Sequence, residues 1–228
     1  MCQPSVRCVT LPRMTRVFLE IGKSRVFASA ADWPGWCRSG KGEEAALDAL
    51  ATYADRYREV VEAAGVSFAG AEGDLEVIER LPGDMTTDFG APGAVAAADL
   101  DNLKPLQSKR LALLVTASWT VLDRVVAVTP GELRKGPRGG GRDRDKMVDH
   151  VLGAEVAYAR KLGVRHKQPA IDDQAAIAGL RADITSALTA ANSGQPEQDK
   201  GWPARYAARR IAWHVLDHAW EMQDRTNP

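Results

Sequence analysis

Two histidines stand four residues apart in the stretch AWHVLDHAWEMQDR, residues 212–225. His214 and His218 are two of only four histidines in 228 residues. In an α-helix, positions four apart project from the same face, so both imidazoles can approach one point. This is the geometry of a pair of metal ligands, but histidines in a helix core also bond simply to backbone or carboxylate groups. The spacing alone leaves both interpretations open.

A third histidine offers a way to complete a metal site. His150 lies near the start of another predicted helix, and its apolar stripe continues to Tyr158. Helix bundles build metal sites from side chains on facing helices, so packing of the two helices would bring His150 to the pair. Three neutral imidazoles suit a borderline divalent ion and leave coordination positions for water or substrate. No Ser/His/Asp or Cys/His arrangement competes for a catalytic role.

Several charged residues are candidates for supporting such a site. Glu155, Asp217 and Glu221 can orient the second nitrogen of a ligand or move a proton, although each is also an ordinary helix carboxylate. The glycine-rich loop RKGPRGGGRDR, 134–144, concentrates positive charge. Its functional interpretation is an anion-binding loop at the entrance of the site, which would hold a phosphate or the carboxylates of a small ligand through Arg138, Arg142 and Arg144. The alternative is a flexible, solvated loop.

Composition narrows the class of protein. Thirty basic and thirty acidic residues cancel, so no overall field favours nucleic acid or an anionic membrane. We find no apolar run that suggests a membrane span, and the scattered Cys2, Cys8 and Cys37 predict reduced thiols. We therefore expect a cytoplasmic protein with a small-molecule substrate and no nucleic-acid or membrane partner; a homodimer is an open alternative.

The surrounding pattern predicts an α+β fold in two domains. Residues 1–13 are expected to form a disordered extension, 14–95 a small β-β-β-α-β domain, and 96–228 an all-α four-helix bundle. The predicted segments are strands at 15–21, 25–30, 36–40, 66–70 and 75–81 and helices at 42–65, 103–128, 141–163, 175–192 and 203–225. Residues 86–103 show no strong period and are interpreted as the connection.

The first domain resembles the HicB-type antitoxin module over residues 15–82. The residues that carry the resemblance are an Asp-x-Pro-Gly turn and a helix opening, namely Asp32, Pro34, Gly35, Gly40, Glu44, Ala45 and Leu47. The resemblance implies a degenerate RNase H-like α+β fold and a protein partner. The chain lacks the appended DNA-binding segment of such antitoxins. Trp33 and Trp36 flank the turn, and we expect them to pack between the two domains rather than form an exposed anchor.

The second domain resembles the DinB-like superfamily over about residues 100–228. The stretches KMVDHVLGAEVAYARKLG and WHVLDHAWEMQDR carry the resemblance. It implies a four-helix unit whose metal triad is His150, His214 and His218, with zinc, nickel, manganese or iron as the divalent ion. The superfamily includes metal-dependent thiol S-transferases and thiol-dependent isomerases. The pair is not the metalloprotease HExxH, because Val215 stands where that motif has its glutamate.

The histidine cluster predicts a metal-dependent enzyme, and the resemblance to the DinB-like superfamily implies transferase or isomerase chemistry that uses a low-molecular-weight thiol. The alternative is a non-catalytic binding protein, in which the HicB-like module recognises a protein partner and the metal is structural. The two differ in the coordination sphere, because a catalytic ion keeps an open position whereas a structural ion is closed by protein ligands.

Overall fold

The computed structural model describes residues 14–68, 74–135 and 141–226, and it has a four-stranded sheet followed by helices. The predicted extension 1–13 lies outside these residues. The strands are β1 Thr15–Ile21, β2 Val26–Ala30, β3 Cys37–Gly40 and β4 Leu75–Pro82. The helices are α1 Glu43–Thr52, α2 Ala54–Ala64, α3 Met85–Phe89, α4 Pro105–Val128, α5 Arg144–Lys161, α6 Gln174–Ala190 and α7 Ala204–Thr226. A 3₁₀ helix spans Ala97–Leu100. The mixed α+β class is confirmed.

The sheet has the order β3-β2-β1-β4, with β1, β2 and β3 antiparallel and β4 parallel to β1. Because side chains alternate along a strand, β1 and β2 present two faces. α1 packs on β2 and β3, whereas the other face meets α7, where the Phe27 ring lies edge-on against Trp213 at 6.1 Å. Both faces of the sheet are therefore covered by helices.

Two elements of the predicted first domain differ from the structure. The helix expected over 42–65 is two helices, broken at Tyr53. The break places the Tyr53 ring edge-on against Trp220 of α7, with ring centroids 5.1 Å apart, and the Thr52 hydroxyl bonds back to the Asp48 carbonyl, a contact that bends helices. The strand expected at 66–70 is also absent over its described part, 66–68. Phe68 instead packs edge-on against Trp33 and, at 5.3 Å, against Trp36.

The DWPGW turn lies in the interior, against α7. A methyl group at Gly35 would come within 2.6 Å of the Leu216 side chain and 3.1 Å of the Ala212 backbone, so the turn backbone rests directly on the helix. Trp33 and Trp36 are both buried, and the Trp36 indole donates a hydrogen bond to the Leu50 carbonyl at 2.8 Å. The two indoles are therefore buried rather than an exposed anchor, and the rings that Trp36 contacts, Tyr57 and Phe68, belong to the predicted first domain.

The predicted connection 86–103 is partly ordered into α3 and the 3₁₀ helix, because Asp84 just before it caps α3 and Asp99 accepts from the Ala96 N–H at the start of the 3₁₀ helix. The carboxylate of Glu20, buried in β1, accepts hydrogen bonds from the Thr87 hydroxyl at 2.5 Å and from the backbone N–H groups of Gly93 and Ala94. From the other side the Tyr206 hydroxyl of α7 donates to the Gly93 carbonyl at 2.8 Å. This segment joins the sheet to α7.

The four long helices α4 to α7 contact one another, and α4 also packs on α2. Buried side chains of the sheet and of the long helices belong to one continuous hydrophobic cluster. Of the 23 residues of α7, 16 are buried, so this helix is surrounded on most sides. By length and composition α4 is also apolar enough to span a membrane, contrary to the sequence-based expectation. However, 56% of its most apolar stretch is buried inside the protein, and core helices of soluble proteins have the same length and composition.

Candidate metal centre

Three of the four histidines converge where α5 packs alongside α7. His150 lies in the second turn of α5, and His214 and His218 lie one turn apart in the middle of α7. One ring nitrogen from each lies within 4.8 Å of the other two. The Nε2 atoms of His150 and His214 are 3.2 Å apart. The sequence-based expectation that His150 meets the pair on α7 thus matches the geometry.

The spacing suits a shared divalent ion. Zinc–nitrogen bonds of about 2.0–2.1 Å at tetrahedral angles place two ligand nitrogens roughly 3.3–3.4 Å apart. The 3.2 Å between the His150 and His214 nitrogens is already close to that value. A nitrogen at the 4.8 Å limit needs to approach by about 1.5 Å, which a modest ring rotation supplies. The donor set therefore fits a transition-metal ion.

The environment keeps the imidazoles of His150 and His214 neutral. Burial is the largest cause that lowers the pKa of His214 to about 2, with further contributions from His218, His150, Arg210 and Arg142. Burial also lowers the pKa of His150, with Arg142 as the next cause. A histidine binds a metal through the lone pair of its neutral form. At neutral pH these two side chains therefore need no deprotonation before they bind an ion.

Glu221 is the one predicted supporting carboxylate that the structure brings to the triad. Its Oε2 lies 3.1 Å from Nδ1 of His218, and its Oε1 accepts from Arg225 at 2.9 Å. The hydrogen bond with His218 is the largest cause that lowers the pKa of Glu221. A carboxylate on one ring nitrogen fixes the tautomer and leaves the other nitrogen free for a metal. Glu221 therefore orients His218.

The other two predicted carboxylates point elsewhere. Glu155 is buried on the opposite side of α5, where Arg181 donates to it at 3.4 Å, and burial raises its pKa. Asp217 pairs with Arg38 at 3.0 Å and lines a cleft of about 330 Å³ between the sheet and α7. Neither has a hydrogen bond to a triad histidine among the described contacts.

The arginine-rich loop ends beside the triad. Arg138 lies outside the described residues, and Arg144 donates to the Thr129 carbonyl at 2.9 Å, which ties α5 to the end of α4. Arg142 is exposed and close enough for its charge to lower the pKa of both His150 and His214. Thus Arg142 is the predicted loop residue that contributes positive charge at the site.

The loop is also attached to the triad through Arg225. Arg225 Nε donates to the Arg134 carbonyl at 2.7 Å, and the Arg134 N–H donates to the Arg225 carbonyl at 3.2 Å. Because Arg225 also donates to Glu221, one residue joins the start of the loop to the partner of His218. The fourth histidine, His166, is apart from this network and lies 2.7 Å from a carboxylate oxygen of Asp183.

Two residues at the site were missed by the sequence analysis as functional candidates. The Tyr158 ring stands nearly perpendicular to the His214 ring, with centroids 5.8 Å apart. Its hydroxyl accepts a hydrogen bond from Arg210 at 3.1 Å. Sequence spacing could have indicated both residues. Arg210 precedes His214 by four residues and Tyr158 follows His150 by eight, so each shares a helix face with a triad residue.

Comparisons with protein-family models, curated proteins and solved structures find no match to this chain. The two family resemblances therefore remain predictions from the sequence, and the functional argument depends on the geometry of the site.

Proposed function

We propose that this protein is a metal-dependent enzyme of transferase or isomerase type that binds a divalent transition-metal ion through His150, His214 and His218. The observation that carries the proposal is the convergence of three imidazole nitrogens within 4.8 Å. Burial keeps His214 neutral, and Glu221 orients His218, so the donor set is organised for a cation. Zinc, nickel, manganese and iron are the candidate ions.

An open coordination sphere supports a catalytic rather than a structural ion. Structural zinc sites have four protein ligands, whereas catalytic sites have three and keep a position for water or substrate. In the described parts of the chain, the metal-ligand cluster at this place has three members, all histidines. His150 is only partly buried, so solvent reaches one side of the cluster. A fourth ligand from the solution therefore has both a vacant position and access.

The chain's own residues define what the site can do. A divalent ion held here would supply Lewis-acid chemistry, lowering the pKa of a bound thiol or water. His150, His214 and His218 would hold the ion, Glu221 would fix the tautomer of His218, and Arg225 would hold Glu221 in place. The resemblance to the DinB-like superfamily favours a low-molecular-weight thiol as one reactant. The described structure presents no competing nucleophile at the triad.

Elemental analysis tests the metal. Untagged protein purified without chelator is compared with His214→Ala and with His166→Ala, a control that removes the one histidine outside the triad. We expect about one equivalent of a transition metal in the wild type and in His166→Ala, and none in His214→Ala. Absence of metal from the wild type, even after incubation with zinc, nickel and manganese, would refute the proposal.

Cobalt substitution tests whether the bound ion is catalytic. The visible spectrum of Co²⁺-loaded protein reports ligand number, and a small thiol such as 2-mercaptoethanol adds a sulfur-to-cobalt band if a coordination position is open. We expect that band, followed by turnover in a screen of thiol substrates. A spectrum that the thiol does not change would identify a closed, structural ion and favour the alternative, a non-catalytic protein whose HicB-like module binds a partner.

A further inference from the structure

Arg210 is a buried cation without a carboxylate partner in the described structure. Only 7% of the residue is exposed. Its Nη1 donates to the Pro92 carbonyl and its Nη2 to the Tyr158 hydroxyl, while Nε is buried without a hydrogen-bond partner. Its neighbour Arg209, equally buried, is paired with Asp99. The guanidinium also lies 4.9 Å from the Trp213 ring centre and 5.4 Å from that of Tyr158. Because buried charges are normally paired with an opposite charge, a guanidinium held only by a carbonyl, a hydroxyl and two rings indicates a place where an anion binds.

The position of Arg210 connects it to the triad. It lies one turn before His214 on α7, and its charge is among the causes that lower the pKa of His214. Arg142 adds a second positive charge from the loop side. The nearest carboxylate at the triad, Glu221, is already bonded to His218 and to Arg225. Arg210 and Arg142 therefore place two positive charges beside the triad, opposite Glu221 and Asp149, whose charges raise the pKa of His150.

Of Arg210 and the tyrosine that it contacts, Tyr158, the tyrosine is the more exposed. It is partly buried, and its hydroxyl oxygen accepts from Arg210, so the phenolic proton is free to donate in turn. No acceptor for that proton occurs in the part of the chain that the structure describes. The ring also packs against Trp202, with centroids 5.1 Å apart. A ligand that reaches this hydroxyl meets an aromatic surface, a hydrogen-bond donor and a positive charge behind it.

We propose that Tyr158 donates its hydroxyl proton to the carboxylate of a small-molecule ligand beside the histidine triad, and that Arg210 is the positioning residue that holds the hydroxyl and supplies charge. The inference deepens the proposed function, on which it rests for the role of the neighbouring triad. A carboxylate is favoured over a phosphate because a single donor backed by one guanidinium matches a monoanion, whereas phosphate sites gather more donors.

The test uses 4-fluorobenzoate, which combines an aromatic body with one carboxylate, and ¹⁹F NMR titration of the full chain. The decisive variant is Tyr158→Phe, which keeps the ring and removes only the hydroxyl. Tyr53→Phe is the matched control, because its ring contacts Trp220, Arg38 and Arg56 and has no described contact with a triad histidine. A hydrogen bond to a charged group corresponds to a loss of affinity of about tenfold or more, expected in Tyr158→Phe and absent in the control.

Arg210 is tested by comparing Arg210→Lys with Arg210→Gln, after circular dichroism confirms that both fold. We expect lysine to keep part of the affinity for 4-fluorobenzoate and glutamine to lose it, because only lysine preserves the charge. A purely structural role would affect both variants alike. Neutral 4-fluorotoluene should bind weakly to every protein. Equal affinity for the two fluorinated compounds, or unchanged affinity in Tyr158→Phe, would overturn the inference.

Measuring both metal-loaded and metal-free protein separates the two proposals. Binding of 4-fluorobenzoate that depends on Tyr158 in a chain that takes up no metal would refute the proposed function and support this inference. Metal uptake by a protein whose affinity for 4-fluorobenzoate does not depend on Tyr158 would support the proposed function and refute this inference. Displacement of 4-fluorobenzoate by inorganic phosphate at much lower concentration than by acetate would show that the ligand class is wrong.

Discussion

The buried ion pair between Asp99 and Arg209 makes a quantitative prediction about how the sheet and the long helices are held together. Arg209 Nε donates to Asp99 Oδ1 at 2.8 Å and Nη2 donates to Oδ2, with side-chain exposures of 7% and 4%. Asp99 also accepts from the Ala96 N–H at 2.8 Å. The guanidinium lies 4.4 Å from the ring centre of Phe18 in the sheet. The pair thus fixes the 3₁₀ helix, which lies between the sheet and the long helices in sequence, onto α7.

Replacing Asp99 with asparagine keeps the shape of the side chain but removes its charge, which leaves the Arg209 guanidinium buried without a counter-ion. Breaking a buried pair from one side costs about 3–5 kcal/mol. Since domains of this kind unfold with a total free energy of about 5–15 kcal/mol, we expect a large shift of the unfolding midpoint. Replacing both partners, as in Asp99→Asn with Arg209→Met, removes the uncompensated charge, keeps an acceptor for the Ala96 N–H and should recover most of that loss.

Urea unfolding followed by circular dichroism and tryptophan fluorescence measures these free energies, with Arg209→Met completing a double-mutant cycle. Asp183→Asn is the control, because Asp183 is 61% exposed and pairs only with His166; its loss should stay below about 1 kcal/mol. The reasoning fails if Asp99→Asn loses less than about 1 kcal/mol, or if the double variant is as unstable as Asp99→Asn.

Three further predictions concern stability. Gly35→Ala places a methyl 2.6 Å from Leu216 at a φ of +91°, so urea unfolding should show a loss of about 1–3 kcal/mol, and a neutral effect would contradict the close packing. Burial raises the pKa of Glu155, so the folded state holds the carboxyl proton more tightly than the unfolded state. The free energy of unfolding should therefore fall as pH rises from about 4.5 through the folded-state pKa. Glu155→Gln should show a flatter pH profile of stability, and a profile equal to that of the wild type would contradict the reasoning. Trp36→Phe removes one of two donors to the Leu50 carbonyl, the other being the Tyr53 N–H at 3.2 Å, and leaves space in the buried core; it should destabilise by about 1–3 kcal/mol in thermal unfolding, whereas an unchanged midpoint would show that the indole is dispensable.

The elements with strong periodicity were predictable from the sequence, and those shaped by distant contacts were not. The four long helices follow apolar patterns of 3.6 residues, and β4 alternates with a period of 2, whereas β1 to β3 were predicted from β-forming residues between turns and show no alternation in burial. The break at Tyr53 was not predicted, because the apolar pattern continues through it and the ring contact of Tyr53 with Trp220 comes from far along the chain. Likewise, α3 depends on capping by Asp84, and the 3₁₀ helix is held by Arg209, contacts that leave no period in a short segment.

The triad was predictable because helix geometry alone aligns His214 with His218 and the stripe through His150 faces inward. The support for the triad was harder to find. Glu155 is five residues beyond His150, which at about 100° per residue turns it roughly 140° away around the helix, and it packs toward Arg181 instead. The pairing of Tyr158 with Arg210 joins two helices, so only the packing of α5 on α7 reveals it.

The central position of α7 has a consequence for the order in which the chain acquires its fold during synthesis. The sheet is complete in sequence at Pro82, but the helix that covers one of its faces begins only at Ala204. At a translation rate of about 5–20 residues per second, roughly 6–25 s separate the two on the ribosome. During that interval Phe27 and the DWPGW turn lack the surface on which they pack in the native state. The nascent sheet therefore needs protection from aggregation until α7 emerges, and a pulse-labelling experiment on stalled chains would find it protease-sensitive up to that length.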